Sequence, residues 1–186
     1  MTLLETLDDY LRFLKYEQGA SLSTYKTYHS NLYSFHRWLV ENGYPVPTLN
    51  EFNATVIRRY FYFVSSKGVR PRTVHGYIIP LRSFGEFLLK HGIQTDNPAK
   101  TIRLPKKDAA IRMETSEEEI LALLQAAQRQ RNQKKAAFQR AVLAVLVYTG
   151  LRRAEVCDLK LNHADLTGGW LLVQSGKGSK SRKVPL

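Results

Sequence analysis

One arginine stands at the junction of two predicted helices, and it is the residue whose position is hardest to explain by packing. The segment YTGLRRAEV, residues 148–156, follows an apolar helix and opens an amphipathic one. A helix-ending glycine at Gly150, followed by buried Leu151, accounts for most of the pattern. It does not account for Arg152, because the neighbouring Arg153 already serves as the ordinary solvent-facing residue. A guanidinium donates two parallel hydrogen bonds to a phosphate or carboxylate, so Arg152 is a candidate anion-binding residue.

A second basic signal lies downstream, in the segment GKGSK at 176–180. It is not a P-loop, because Lys177 is followed by Gly178 and a strand is predicted to follow it instead of a helix. A glycine-rich hairpin turn that happens to be basic is the simpler interpretation. Residues 175–186 nevertheless contain Lys177, Lys180, Arg182 and Lys183 and no acidic residue, so this turn favours an anion.

Composition indicates a polyanion as partner and argues against several other classes of protein. The 186 residues carry a net charge of +12 with a pI near 9.9, which favours nucleic acid or an acidic membrane surface. The longest apolar run, 141–148, is too short to span a bilayer, and the first ten residues lack the basic start of a signal peptide. A single cysteine and unpaired histidines predict neither a disulfide nor a metal site. We therefore expect a protein of the cytoplasm that needs no cofactor and does not cross a membrane, and of the two polyanions we expect nucleic acid and not a membrane as its partner.

Hydrophobic periodicity predicts four helices in the first half of the chain: 3–17, about 21–42, 53–66 and 70–92. Pro80 lies inside the fourth of these helices. A proline there removes one backbone hydrogen bond and predicts a kink one turn back, near Gly76. Residues 96–113 lack periodicity and are predicted to be a linker. Helices at 116–130, 134–149 and 152–160 and strands at 170–174 and 182–185 are predicted to follow.

Basic and hydroxyl side chains mark the starts or outer faces of the second and fourth helices. They are Lys26, His29, Arg37, Arg70, Arg72, Thr73 and His75. Such side chains reach phosphates and base edges in a major groove, but a solvated helix face explains the charges equally well. Tyr33 and Tyr77 are the tyrosines expected to face DNA, and the others are expected in the core.

The quoted segments resemble those of a known family. Residues 148–156 resemble the first conserved box of the tyrosine recombinases, the phage-integrase and Xer-like family. The segment GKGSK, with Val-Pro-Leu at 184–186, resembles their β-hairpin lysine segment. The segments 23–35, 97–99 and 115–120 are also similar, so the resemblance covers the whole chain in the right order.

This resemblance implies a mainly α fold with two domains. Residues 1–95 would form a four-helix, SAM-like core-binding domain that binds DNA, and 96–113 would be the linker. Residues 114–186 would form the first part of a mostly helical catalytic domain with a small antiparallel β-sheet.

The resemblance also implies roles for individual residues. Arg152 corresponds to the first catalytic arginine, Lys177 to the hairpin lysine, and Glu155 to an acidic residue that orients the arginine. In this family a tyrosine attacks the phosphodiester without a metal, the arginine stabilises charge at phosphorus and the lysine protonates the leaving oxygen. The further DNA-binding residues expected outside the helices are Lys106, Lys107, Lys180 and Arg182.

The family's second box and its nucleophilic tyrosine have no counterpart in these residues. The last tyrosine is Tyr148 and the last histidine is His163. We expect a protein of DNA recombination and integration that binds double-stranded DNA, self-associates on it near the bacterial nucleoid, and does not cleave it. We also expect exposed apolar surface in the helices of 116–160. The alternative is a non-catalytic DNA-binding regulator of recombination sites or of a full-length recombinase.

Overall fold

The mainly α fold with a small antiparallel sheet is confirmed. A computed structural model describes residues 2–106, 114–174 and 181–186, and the chain forms two compact units, Met1–Ala110 and Ile111–Leu186. The helices of the first unit are α1 Leu3–Tyr16, α2 Leu22–Glu41, α3 Ala54–Ser66 and α4 Pro71–Lys90. The second unit contains α5 Glu117–Gln128, α6 Gln133–Thr149, α7 Arg153–Cys157, β1 Ala164–Asp165, β2 Trp170–Val173 and β3 Arg182–Pro185. Short 3-10 turns lie at Leu49–Glu51, Pro98–Thr101 and Leu161–His163.

Aromatic side chains fill the centre of the first unit. The rings of Tyr10, Phe52 and Phe84 are almost fully buried. Phe84 meets Tyr10 at a centroid distance of 5.6 Å and Phe52 at 4.9 Å, both edge to face. This geometry is favourable for aromatic quadrupoles and adds to the free energy gained by burial. Of the α1 leucines whose three- and four-residue spacing predicts a helix, Leu3, Leu7, Leu11 and Leu14 are buried. Leu4 follows the same spacing and is only partly buried.

The helix α4 runs without a break through Pro80. Pro80 has no N–H to donate to the carbonyl of Gly76, so that carbonyl needs another partner. The side-chain amide of Asn31, on α2, donates to it at 3.0 Å. The proline therefore leaves a carbonyl free to accept from Asn31, and this hydrogen bond joins α2 to α4.

The first part of the predicted linker is docked on α4. The Asn97 amide donates to the Arg82 carbonyl at 2.9 Å, and the Arg82 Nε donates to the Ala99 carbonyl at 3.2 Å. A Cβ atom at Gly85 would collide with the Asn97 side chain, so glycine provides the space for this contact. Ala99 and Ile102 are buried in the core of the first unit. The exact ends of the linker, at 96 and 113, stay predictions.

The second unit has a small core and much exposed apolar surface. Leu151, Leu171 and Val173 form its buried centre. In contrast, Leu121, Leu123 and Phe138 on α5 and α6 are more than half exposed. A groove of about 410 Å³ lies between these helices, and its lining residues are Leu123, Ala126, Ala127, Gln130, Phe138, Gln139, Val142 and Leu143. Exposed apolar surface was expected here and is present.

The helix predicted at 152–160 is shorter than expected, since α7 ends at Cys157. The chain then makes a separate 3-10 turn, in which the Lys160 N–H donates to the His163 imidazole at 3.3 Å. The imidazole is buried. It accepts a hydrogen bond from a backbone N–H that has no partner within an α-helix. The two-residue strand β1, which follows at once, was not predicted.

The Asn31–Gly76 bond gives a direct test of this packing. Asn31→Ala leaves the Gly76 carbonyl without its partner, which should lower the free energy of unfolding by about 1–3 kcal/mol. In a Pro80→Ala background, residue 80 regains an N–H for that carbonyl, and the cost of Asn31→Ala should shrink. Denaturant unfolding of the four variants gives the coupling free energy. An equal cost of Asn31→Ala in both backgrounds would contradict this explanation.

Candidate nucleic-acid interface and phosphate site

The α6–α7 junction turns Arg152 away from the core of the second unit. Gly150 ends α6 in the left-handed region, with φ 62°, where a residue with a side chain would be strained. Leu151 then enters the core, where it is 5% exposed. Arg152 is extended and directly precedes α7. Its side chain is 64% exposed.

A buried carboxylate holds this arginine. The Glu155 side chain is only 6% exposed. Its Oε1 accepts from the Arg152 Nη1 at 2.9 Å, and its Oε2 accepts from the Arg152 backbone N–H at 2.8 Å. These contacts join Glu155 to Arg152, and the orienting role of Glu155 stays a prediction.

Arg182 binds the same carboxylate from the sheet. Its Nη1 donates to Oε1 of Glu155 at 2.9 Å, and its Nη2 donates to Oε2 at 2.8 Å. The hydrogen bonds from Arg182, followed by the backbone N–H of Arg152, lower the pKa of Glu155 to about 2. Glu155 is therefore a carboxylate at neutral pH, shared by two guanidiniums.

The strand register explains how Arg182 reaches α7. In the β2–β3 ladder, Val173 pairs with Arg182 and Leu171 pairs with Val184. Side chains two residues apart on a strand share one face. Val184 packs against the core on that face, so Arg182 also faces inward. Lys183 points the other way and lies 3.9 Å from the ring centroid of Trp170.

The arrangement leaves part of one guanidinium available. The Arg152 Nη1 donates one hydrogen bond to Glu155. The remaining N–H groups of the guanidinium can bind two oxygens of a phosphate. Arg182 was predicted to bind DNA, but its two terminal nitrogens are directed to Glu155. Lys177, Lys180 and Lys107, also predicted to bind DNA or act in catalysis, lie outside the described residues.

In the first unit, most of the predicted DNA-binding side chains are exposed. On α2, Lys26 and Arg37 lie on one exposed side together with Ser30. At the start of α4, Arg70, Arg72 and Thr73 are exposed, next to the backbone N–H groups of its first turn, which favour anions. Lys106 is exposed as well.

Two predicted DNA-binding histidines are packed against other groups. His29 is stacked on Tyr33 with a centroid distance of 4.2 Å, and the Tyr33 hydroxyl donates to Asp8 at 2.5 Å. The His75 Nε2 lies 2.9 Å from the Pro105 carbonyl, so it contacts the chain that follows α4. Their contact with DNA stays a prediction. Tyr77, another expected DNA-facing residue, makes an edge contact with Tyr60 in the core at 6.4 Å.

The helix α3 has a basic face that was not among the predicted DNA-binding surfaces. Arg58, Arg59 and Lys67 are exposed there, together with Tyr62. The segment Ala54–Ser66 contains two adjacent arginines and no acidic residue, a signal that was available in the sequence.

Neither a metal site nor a membrane span was found within the described ranges. No group of three or more His, Cys, Asp or Glu side chains there could hold a metal ion. No helix in the same part of the chain is long and apolar enough to cross a membrane.

The pKa of Glu155 predicts an acid-sensitive second unit. Since this pKa is lower in the folded protein than its ordinary value of 4.5, ionised Glu155 stabilises the fold above that pH, and the stabilisation disappears as the pH falls from 4.5 toward 2. The protection of the β2 and β3 amides, measured as the observed exchange rate relative to the intrinsic rate at the same pH, should therefore fall in this window. Glu155→Gln should exchange faster at neutral pH and lose this component of the acid response. The exposed Glu114→Gln variant is the control, and an unchanged acid response in Glu155→Gln would contradict the assignment.

Comparison with known proteins follows the division of the chain. The sequence profile described as the N-terminal SAM-like domain of phage integrases matches residues 7–92. The profile described as the phage integrase family matches residues 114–186.

Two bacterial proteins illustrate the sequence similarity. The chain is 30% identical to tyrosine recombinase XerD of Oceanobacillus iheyensis, over 97% of this chain and 59% of the relative. It is 33% identical to tyrosine recombinase XerC of Bacillus pumilus, over 95% of this chain and 56% of the relative. The chain thus spans somewhat more than half the length of these relatives.

Solved structures share the fold. The chain matches a lambda integrase tetramer bound to a Holliday junction with a TM-score of 0.77 and 22% identity, over 100% of this chain and 49% of the other. It matches lambda integrase(75-356), a dimer bound to a COC' core site, with a TM-score of 0.76 and 22% identity, over 100% of this chain and 62% of the other. The two profiles and the Xer relatives show that the chain belongs to the tyrosine recombinase, or phage integrase, family.

Proposed function

We propose that this chain binds double-stranded DNA as part of the machinery of site-specific recombination and DNA integration, and that it places Arg152 at a phosphodiester. The observation that carries this proposal is that Arg152 is bound by Glu155 and yet points outward from the core of the second unit. Glu155 fixes one edge of the Arg152 guanidinium, while its side chain stays 64% exposed. A pre-oriented guanidinium can stabilise charge on non-bridging phosphate oxygens without reorganising.

The first unit supplies the duplex-binding surface in this proposal. Its exposed basic residues on α2 and at the start of α4 are placed on two helices that Asn31 joins. The net charge of +12 favours a polyanion over the whole chain. The lambda integrase structures with the same fold are bound to a core site and to a Holliday junction.

The phosphate chemistry is proposed to depend on two donors. Arg152 would bind the non-bridging oxygens, and Lys177 would give a proton to the leaving oxygen. A lysine suits this second role because its ammonium is a mobile donor whose pKa shifts with its surroundings. Neither donor supplies a nucleophile.

These 186 residues contain no tyrosine beyond Tyr148. Tyr148 lies in α6, ahead of Arg152. We therefore propose that these residues by themselves bind DNA without forming a phosphotyrosyl bond.

Self-association on DNA belongs to the same proposal. The exposed apolar side chains of α5 and α6 are surface that another protein chain could cover. The lambda integrase structures are a dimer and a tetramer on DNA. The relatives come from bacteria, so the proposed place of action is the bacterial cytoplasm, on the nucleoid.

The affinity for a DNA duplex should fall steeply as the salt concentration rises, and most of this affinity should come from residues of the first unit. If the chain neutralises about five phosphates, its affinity for a duplex should fall by orders of magnitude between low and physiological salt. Arg72→Ala or Arg37→Ala should each weaken binding and reduce the slope of log affinity against log salt by about one. Arg152→Ala should leave most of the affinity intact, because the first unit supplies most contacts. Gel shifts over a series of salt concentrations measure all of these effects.

Lys90→Ala is the matched control, since Lys90 is exposed at the far end of α4. It removes the same unit charge and should leave the salt slope unchanged. Salt-independent binding, or equal effects of Lys90→Ala and Arg72→Ala, would contradict the proposed surface.

A nicked suicide substrate tests the absence of a nucleophile. The 186-residue chain should give no covalent protein–DNA adduct, while a full-length relative on its own site serves as the positive control. Denaturing gel electrophoresis separates the adduct from free DNA. An adduct that disappears with Tyr148→Phe would show that Tyr148 attacks DNA and that this proposal is wrong.

A further inference from the structure

We propose that Arg182 is a positioning residue for Arg152, which it fixes through Glu155. The sequence places Arg182 in a basic segment and suggests contact with DNA. The structure instead directs its terminal nitrogens to a buried carboxylate. This inference rests on the proposed role of Arg152 as a phosphate-binding residue.

The geometry of the shared carboxylate is the first argument. Each oxygen of Glu155 accepts one hydrogen bond from each arginine, at 2.9 and 2.9 Å on Oε1 and at 2.8 and 2.8 Å on Oε2. The planar fork of Arg182 sets the plane of the carboxylate, because both of its bonds must be met at once. That plane then determines where Oε1 can receive the Arg152 side chain. Without Arg182, only Arg152 itself binds the carboxylate, so the direction of the Arg152 side chain is held less tightly.

Charge gives the second argument. A carboxylate paired with a single guanidinium neutralises it, and the pair attracts a phosphate only weakly. Here one negative charge lies between two positive ones, so the group carries a net positive charge. Arg182 compensates the buried Glu155, and the positive charge of Arg152 stays available for an anion. Arg152 is also the more exposed of the two arginines, at 64% against 40% of the side chain.

Arg182 also joins two elements of the second unit. Arg182 and Glu155 are 27 residues apart in sequence, and their contact ties β3 to α7. Arg152 is fixed to the same carboxylate from the other side, by its backbone as well as its side chain. The α6–α7 junction and the sheet therefore hold a single orientation of the guanidinium between them.

Arg182→Gln is the decisive variant, and NMR of the whole chain is the measurement. The carboxyl carbon of Glu155 should titrate with a pKa that rises from about 2 toward 4.5. The Arg152 Nε–Hε signal should shift and show faster exchange and greater mobility. Arg182→Lys, which keeps the charge but lacks the fork, should keep the Glu155 pKa below 4.5 while Arg152 gains mobility. If Arg182 only stabilised the fold, Arg182→Lys would not change the mobility of Arg152 independently of the pKa of Glu155.

Arg153→Gln is the matched control, because it removes the same charge from an exposed residue beside Arg152. It should leave both readouts unchanged. Cross-strand contacts of β2 and β3 in the same spectra show that each variant is folded, and Arg182→Lys decides the question if Arg182→Gln is not. Unchanged Arg152 signals in a folded Arg182 variant would overturn the inference. These readouts need no DNA, so a failure of duplex binding would refute the proposed function separately.

Discussion

The second unit depends on a carboxylate that is almost removed from water and still charged. An ionised group in that position is costly unless hydrogen bonds and opposite charges compensate it. Glu155 receives both from Arg152 and Arg182, together with a backbone N–H. This requirement fixes α7 against β3 and also turns Arg152 outward in one direction. The interaction that satisfies a buried charge is thus the same one that fixes the direction of the exposed Arg152 side chain, for which we propose a phosphate as partner.

Buried polar contacts have a similar role in the first unit, although the charges there lie on the surface. Pro80 removes a backbone bond from α4, and Asn31 replaces it with a bond from α2. Arg82 and Asn97 then hold the chain that leaves α4 against its side. The exposed basic residues consequently stand on helices whose relative position is specified by hydrogen bonds as well as by aromatic packing. A surface that binds DNA by phosphate contacts benefits from such fixed spacing.

The sequence predicted the six longer helices and the strands β2 and β3. The clearest case is α1, where Leu3, Leu7, Leu11 and Leu14 recur every three or four residues. The sequence also predicted the junction at Gly150 and Arg152, and the nearness of Glu155 three residues later. It could not predict the partner of Arg182, since charge and spacing do not reveal which side chains meet across 27 residues. The docking of Asn97 beside Gly85 was missed for the same reason. The helix predicted at 152–160 was too long, since α7 ends at Cys157.

A structure of this chain bound to a DNA duplex tests the central claim most directly. We expect the Arg152 guanidinium to lie within hydrogen-bond distance of two oxygens of one phosphate, while its Nη1 still contacts Glu155 and Arg182 stays on the same carboxylate. A complex in which Arg152 faces away from the DNA, or in which Arg182 leaves Glu155 to bind a phosphate itself, would contradict it.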